Sequence, residues 1–129
     1  MSKKSQGITY ERELIHMFWD EDWAAFRAAG SGAMKYPCPD IIAGDASRKV
    51  AIEVKKTKKD RKYFTSEEVD ALEIFSGNFG AESWVGVRFH RGSWYFVPVH
   101  DLDETPKNYV VSKEKAERSG LMFDELVSL

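Results

Sequence analysis

Pro39-Asp40-Ile41-Ile42-Ala43-Gly44-Asp45-Ala46-Ser47-Arg48-Lys49-Val50-Ala51-Ile52-Glu53-Val54-Lys55 is the stretch whose reading decides the fold. Two apolar runs, Ile41-Ile42-Ala43 and Val50-Ala51-Ile52, flank Gly44-Asp45-Ala46-Ser47, and this composition predicts a β-hairpin. Glu53 and Lys55 are two residues apart on the second strand, so they leave it on the same face. With the turn centred between Ala46 and Ser47, Asp40 falls opposite Glu53, and cross-strand partners have Cβ atoms roughly 4.5–5.5 Å apart. Two carboxylates that close repel unless a cation sits between them.

Asp40 and Glu53 offer hard oxygen ligands, the kind that Mg²⁺ or Mn²⁺ takes together with waters and a substrate phosphate. Lys55 beside them would orient or deprotonate an attacking water, or neutralise charge developing on phosphorus, and the sequence does not choose among these. The plain alternative is a surface hairpin with a solvated Asp, Glu and Lys. Two neighbouring features favour chemistry. A helix expected from about Ile8 to Asp20 carries Glu11 on the same apolar stripe as Leu14, Ile15 and Phe18, where it would ligate a metal directly or through water. After the hairpin, residues 55–62 hold six basic side chains in eight, which would surround the site with positive potential. Phosphodiester hydrolysis is the reaction class that uses every part.

The remainder of the chain supplies a frame. Residues 1–7, with Lys3 and Lys4, are expected to form a flexible basic arm. Asp22 to Arg27 is expected as a short strand, followed by a small-residue loop, Ala29-Gly30-Ser31-Gly32. Arg27, Ser31 and Lys35 lie between that strand and the hairpin, within reach of a phosphate. Thr65 to Glu68 fits a capping box, opening a helix with a Val69, Leu72, Phe75 and Phe79 stripe that Gly80 ends. Trp84–Phe89 and Trp94–Val99 read as a second hairpin about Arg91-Gly92. Its alternating Val85, Val87, Phe89, Trp94 and Phe96 are expected to leave an apolar face for a dimer. Tyr109-Val110-Val111 is expected as an edge strand, Lys113–Ser119 as a short helix, and Phe123–Leu129 as a segment packing back on the body.

With 129 residues and 43% hydrophobic side chains, the chain is expected to be one domain with a real core. No apolar stretch approaches the ~20 residues of a membrane span, and the expected location is intracellular, cytoplasmic and nucleoid-associated. Cys38 is the only cysteine, which excludes an intrachain disulfide and disfavours a Cys-based zinc site. Between Pro37 and Pro39 it is expected to be a small buried filler. The net charge of −2 conceals a division, because residues 1–62 come to +4 and residues 63–129 to −6. Such polarity allows one face to meet phosphate while the whole stays near neutral.

Pro39-Asp40 followed by Glu53-Val54-Lys55 matches the PD-(D/E)xK motif of restriction-endonuclease-like nucleases. More narrowly, the chain resembles the archaeal Holliday junction resolvases, through Tyr10-Glu11-Arg12-Glu13, Phe26-Arg27-Ala28, Gly30-Ser31-Gly32, Pro39 to Gly44 and Ile52 to Lys55. The resemblance runs from Gly7 to about Val99. It implies an α/β fold with a central mixed β-sheet flanked by helices, a homodimer, and Mg²⁺-dependent paired cuts across a four-way DNA junction, with Mn²⁺ able to substitute. It places Glu11, Asp40 and Glu53 at the metal, Lys55 as the catalytic lysine and Ser31 as a loop residue acting at the substrate phosphate. Lys3, Lys4, Arg27, Ser31, Lys35, Lys56, Lys58, Lys59, Arg61 and Lys62 would hold DNA. Two alternatives stand beside it: a related nuclease acting on another DNA structure or sequence, and a catalytically silent DNA-binding module. The presence of Glu11, Asp40, Glu53 and Lys55 together weighs against the second.

Overall fold

The computed structural model describes residues 3–28 and 35–129, with side chains from residue 9 onward. Helix α1 (Lys3–Asp20) leads into β1 (Ala24–Arg27), β2 (Ile41–Gly44), β3 (Lys49–Lys56), β4 (Arg61–Thr65) and α2 (Ser66–Phe79). Strands β5 (Glu82–Arg88) and β6 (Trp94–Pro98) follow. After a short 3₁₀ turn come β7 (Asp103–Glu104), β8 (Asn108–Ser112), α3 (Lys113–Ser119) and α4 (Phe123–Val127). The main sheet has the order β1-β2-β3-β5-β6. Its β3–β5 pair is parallel and the others antiparallel, the mixed sheet expected from the sequence.

The hairpin forms in the expected register. Ile41 pairs with Ile52 and Gly44 with Lys49, and Asp40, the residue before β2, leaves the regular ladder with its N–H donating to the Ile52 carbonyl at 3.1 Å. The turn holds because the Asp45 carboxylate accepts the N–H groups of Ser47 and Arg48, at 2.8 and 2.7 Å. Gly44 is required by a close approach: a Cβ there would stand 2.9 Å from the Arg48 carbonyl oxygen.

Alternation along β3 divides the core. Val50, Ile52 and Val54 pack with Leu14 and Phe18 of α1, Trp94 and Phe96 of β6, and Leu126 of α4. Ala51 faces the other way, toward Phe64, Val69, Leu72, Val85, Val87 and Val111. Glu53 and Lys55, at the same parity as Ala51, therefore leave the sheet on the α2 side.

Several expectations need correction. The backbone is helical from Lys3, so residues 3–7 continue α1 rather than forming an arm; they contain no proline, and Gly7 costs a helix only about 1 kcal/mol. Both faces of the β5–β6 hairpin are covered. Val85, Val87, Phe89, Trp94 and Phe96 are all buried, and Leu121 exchanges two backbone hydrogen bonds with Phe96 along β6. The hairpin is thus core, with no apolar face left for a second subunit. Within α2, Ser76 takes the buried position next to Val69 and Leu72. Phe79 lies in the last turn, its ring tilted against Phe75 and 45% exposed beneath the Lys49 ammonium. Tyr109–Val111 belong to β8, the middle strand of a second sheet ordered β4-β8-β7. Its partner β4 arises from the end of the basic run, where Tyr63 and Phe64 alternate out and in. Among the described residues no helix is long and apolar enough to cross a membrane.

Candidate active site

At the end of the β2–β3 ladder a cleft of about 680 Å³ opens between the sheet and the start of α2. Glu53 and Lys55 line it from β3, Asp40 from the residue before β2, Glu11 from α1, Lys35 from the loop before β2, and Glu68 from α2. The Asp40 carboxylate is fixed by the chain itself, since its Oδ2 accepts the Val54 N–H at 2.9 Å. Glu53 is mostly buried, and that burial, reinforced by the Asp40 carboxylate and opposed by Lys55, pushes its pKa up to about 9. Glu53 therefore keeps its proton at neutral pH beside the Asp40 carboxylate.

Lys55 Nζ stands 2.5 Å from Glu68 Oε2 and 3.8 Å from Glu53 Oε1. Burial alone would lower the Lys55 pKa, but the Glu68 and Glu53 carboxylates outweigh it and raise it. Glu68 in turn is held below the usual carboxylate range, its desolvation overcome by the Lys55 ion pair and the Thr65 N–H. An ammonium ion, not a free amine, therefore faces the cleft.

Glu11 comes from the helix packed on the opposite face of the sheet and reaches the cleft at its edge. Its carboxylate is engaged by Arg27, at 3.5 Å. Burial and the Asp40 charge raise its pKa, with Arg27 pulling the other way. Among the described residues no three His, Cys, Asp or Glu side chains are gathered into a ready-made metal cage. The donor set that fits a cation is the Asp40–Glu53 pair, two hard carboxylates whose mutual repulsion a divalent ion would relieve. Mg²⁺ is commonly held by one or two carboxylates with waters and phosphate oxygens completing the octahedron.

Of the other expected site residues, Ser31 lies outside the described residues, as do the side chains of Lys3 and Lys4. Lys35 lines the cleft, its ammonium over the Tyr36 ring. Lys56, Lys58, Lys59 and Arg61 are exposed on the turn from β3 to β4, and Lys62 is half-buried. Arg27 is half-buried against Glu11. Cys38 is not core filler: half-buried, it lines the cleft, where burial and then the Asp40 and Glu53 charges raise its thiol pKa. Sequence reading missed Glu68, which it assigned to helix capping alone, and Tyr10, whose ring packs against Trp94 while lining the cleft.

Known proteins match this chain over nearly its full length. A family model described as "Archaeal holliday junction resolvase (hjc)" covers residues 2–129. The crossover junction endodeoxyribonuclease Hjc of Archaeoglobus fulgidus is 40% identical over 129 residues, 95% of each chain. That of Methanocaldococcus jannaschii is 30% identical over 125 residues, covering 97% of this chain and 89% of the relative. The solved structure of A. fulgidus Hjc, a Holliday junction resolvase, superposes with a TM-score of 0.87 at 38% identity, over 92% of this chain and 98% of that one. With the cleft, the paired carboxylates and the motif lysine in place, the chain belongs to the archaeal Holliday junction resolvase (Hjc) family, restriction-endonuclease-like nucleases that imply a divalent metal cofactor.

Proposed function

We propose that this protein is a structure-selective DNA endonuclease that resolves four-way junctions by metal-dependent phosphodiester hydrolysis, cutting in symmetric pairs. The observation that carries the chemistry is the Asp40 and Glu53 carboxylates side by side, with Lys55 on the same face of β3 as Glu53, lining one cleft. The names of its relatives supply the substrate, a crossover junction.

Asp40 and Glu53 would hold Mg²⁺, with Mn²⁺ able to replace it, and Glu11 would join through water once Arg27 turns toward phosphate. When bound, such an ion lowers the pKa of a water and stabilises charge on the reacting phosphate. Asp40, anchored by the Val54 N–H, sets the position of the site relative to β3. The Lys55 ammonium offers protons for hydrogen bonds to the attacked phosphate and stabilises the charge that builds there. Charged this way, it suits electrostatic stabilisation better than proton abstraction. The exposed Lys56, Lys58, Lys59 and Arg61, with Lys35, would grip the backbone, and Ser31, Lys3 and Lys4 would extend that grip. Phosphate contacts position a protein on DNA without reading sequence, which suits selection by shape.

Paired cuts need two active sites at fixed separation, which a two-fold homodimer supplies. With the β5–β6 hairpin buried, exposed apolar side chains elsewhere, among them Trp19, Phe26, Ile74 and Phe79, would supply that contact. The protein would act with its substrate, in the cytoplasm and on the nucleoid. Asp40→Asn tests the assignment: junction cleavage in Mg²⁺ should fall by about 10²-fold or more while junction binding persists. Cleavage at the unaltered rate would remove Asp40 from the site.

A further inference from the structure

We propose that Glu68 is a positioning residue for catalysis, a fixed carboxylate that holds the Lys55 ammonium where the scissile phosphate will arrive; this rests on the endonuclease reading above. Its two oxygens have different partners. Oε1 accepts the Thr65 N–H at 2.9 Å, while the Glu68 N–H donates to Thr65 Oγ1 at 3.0 Å, closing a reciprocal cap at the start of α2. Oε2 faces the cleft and takes Lys55 at 2.5 Å.

Capping accounts for one oxygen, and the helix dipole favours an acid here wherever its second oxygen points. Neither explains an ion pair with the motif lysine of another element. Lysine is a point charge on a flexible four-carbon stem, so a site that needs it in one place must restrain it. Glu68 is suited to this, because α2 is itself seated on the sheet by buried Val69 and Leu72. The pair is largely withdrawn from water, with side-chain exposures of 28% for Lys55 and 27% for Glu68. Lys55 also reaches Glu53, at 3.8 Å, so Glu68 is the nearer of its two carboxylate partners.

Glu68→Gln separates the two duties, because glutamine still caps the helix through its amide oxygen but carries no charge for Lys55. Ser112→Ala serves as a stability control, since it removes a comparable cap, the Ser112 Oγ that accepts the Lys115 N–H at 3.0 Å, from α3. The measurements are the single-turnover cutting rate of a synthetic four-way junction in Mg²⁺, the junction Kd, Tm, and the Lys55 ammonium ¹⁵N–¹H signal in metal-free protein. Glu68→Gln should slow cutting by about 10- to 100-fold, with Kd unchanged and the ordered Lys55 signal lost. Ser112→Ala should lower Tm without slowing cutting. The proposal is overturned if Glu68→Gln cuts at the unaltered rate, if it weakens binding as much as it slows cutting, or if both variants lose rate in step with Tm. An unaltered protein that binds but never cuts the junction would instead remove the endonuclease reading, and the ammonium signal would still decide whether Glu68 holds Lys55.

Discussion

Asp40, just before β2, is held beside Glu53 by its own carboxylate, whose Oδ2 accepts the Val54 N–H at 2.9 Å. Burial first, and Asp40 second, raise Glu53 to about 9. In the unfolded chain Glu53 titrates near its ordinary 4.5. Between those values the folded state keeps a proton that the unfolded state has released. The Glu53 contribution to stability is therefore complete below about pH 4.5 and is lost as pH rises through about 9.

Metal-free protein should accordingly lose about 5 °C or more of Tm as pH is raised across that window, by calorimetry. Asp40→Asn should flatten the fall, and saturating Mg²⁺, which binds the deprotonated pair, should oppose it. A Tm independent of both pH and Mg²⁺ would contradict a Glu53 that holds its proton in the fold.

Replacing Lys56, Lys58 and Lys59 together by alanine removes three exposed charges from the β3–β4 turn. If each meets a phosphate, the slope of log K against log salt for junction binding should shrink by about 0.9 per lost contact. Titration by fluorescence anisotropy at several salt concentrations reads this directly. An unchanged slope would place the DNA on another surface.

The C-terminal segment is structural. Leu126 is fully buried against the α1 side of the sheet, and its carbonyl accepts a hydrogen bond from Arg48 at 2.7 Å. Leu126→Ala should cost about 2–5 kcal/mol in denaturant unfolding while cutting at 25 °C persists. Loss of cutting without loss of stability would give this segment a role in the site.

Much of this was legible in local pattern. The register of the hairpin from Ile41–Ile52 to Gly44–Lys49 follows from its turn and strand alternation, although Asp40 leaves it, and the capping box at Thr65 and Glu68 follows from residue types three apart. What escaped depends on elements distant in sequence. The second use of Glu68 requires knowing that α2 begins beside Lys55. The burial of Trp94 and Phe96 requires α1 and α4 to cover their face of the sheet, and that of Val85 and Val87 requires α2 and β8 to cover the other. The pairing of Glu11 with Arg27 joins a helix to an edge strand, and no spacing rule encodes it. Cys38 was misread because flanking prolines suggest rigidity and say nothing about which wall the thiol joins.

The central claim is that two copies of the Asp40–Glu53–Lys55 site cut one junction. It is tested most directly by mapping the products of a synthetic four-way junction, each strand labelled in turn, with and without Mg²⁺. The account predicts paired nicks at two-fold-related positions on opposing strands, dependent on the metal and absent in Asp40→Asn. Cuts on a single strand, cuts in plain duplex at the same rate, or cuts that persist without a divalent ion would contradict it.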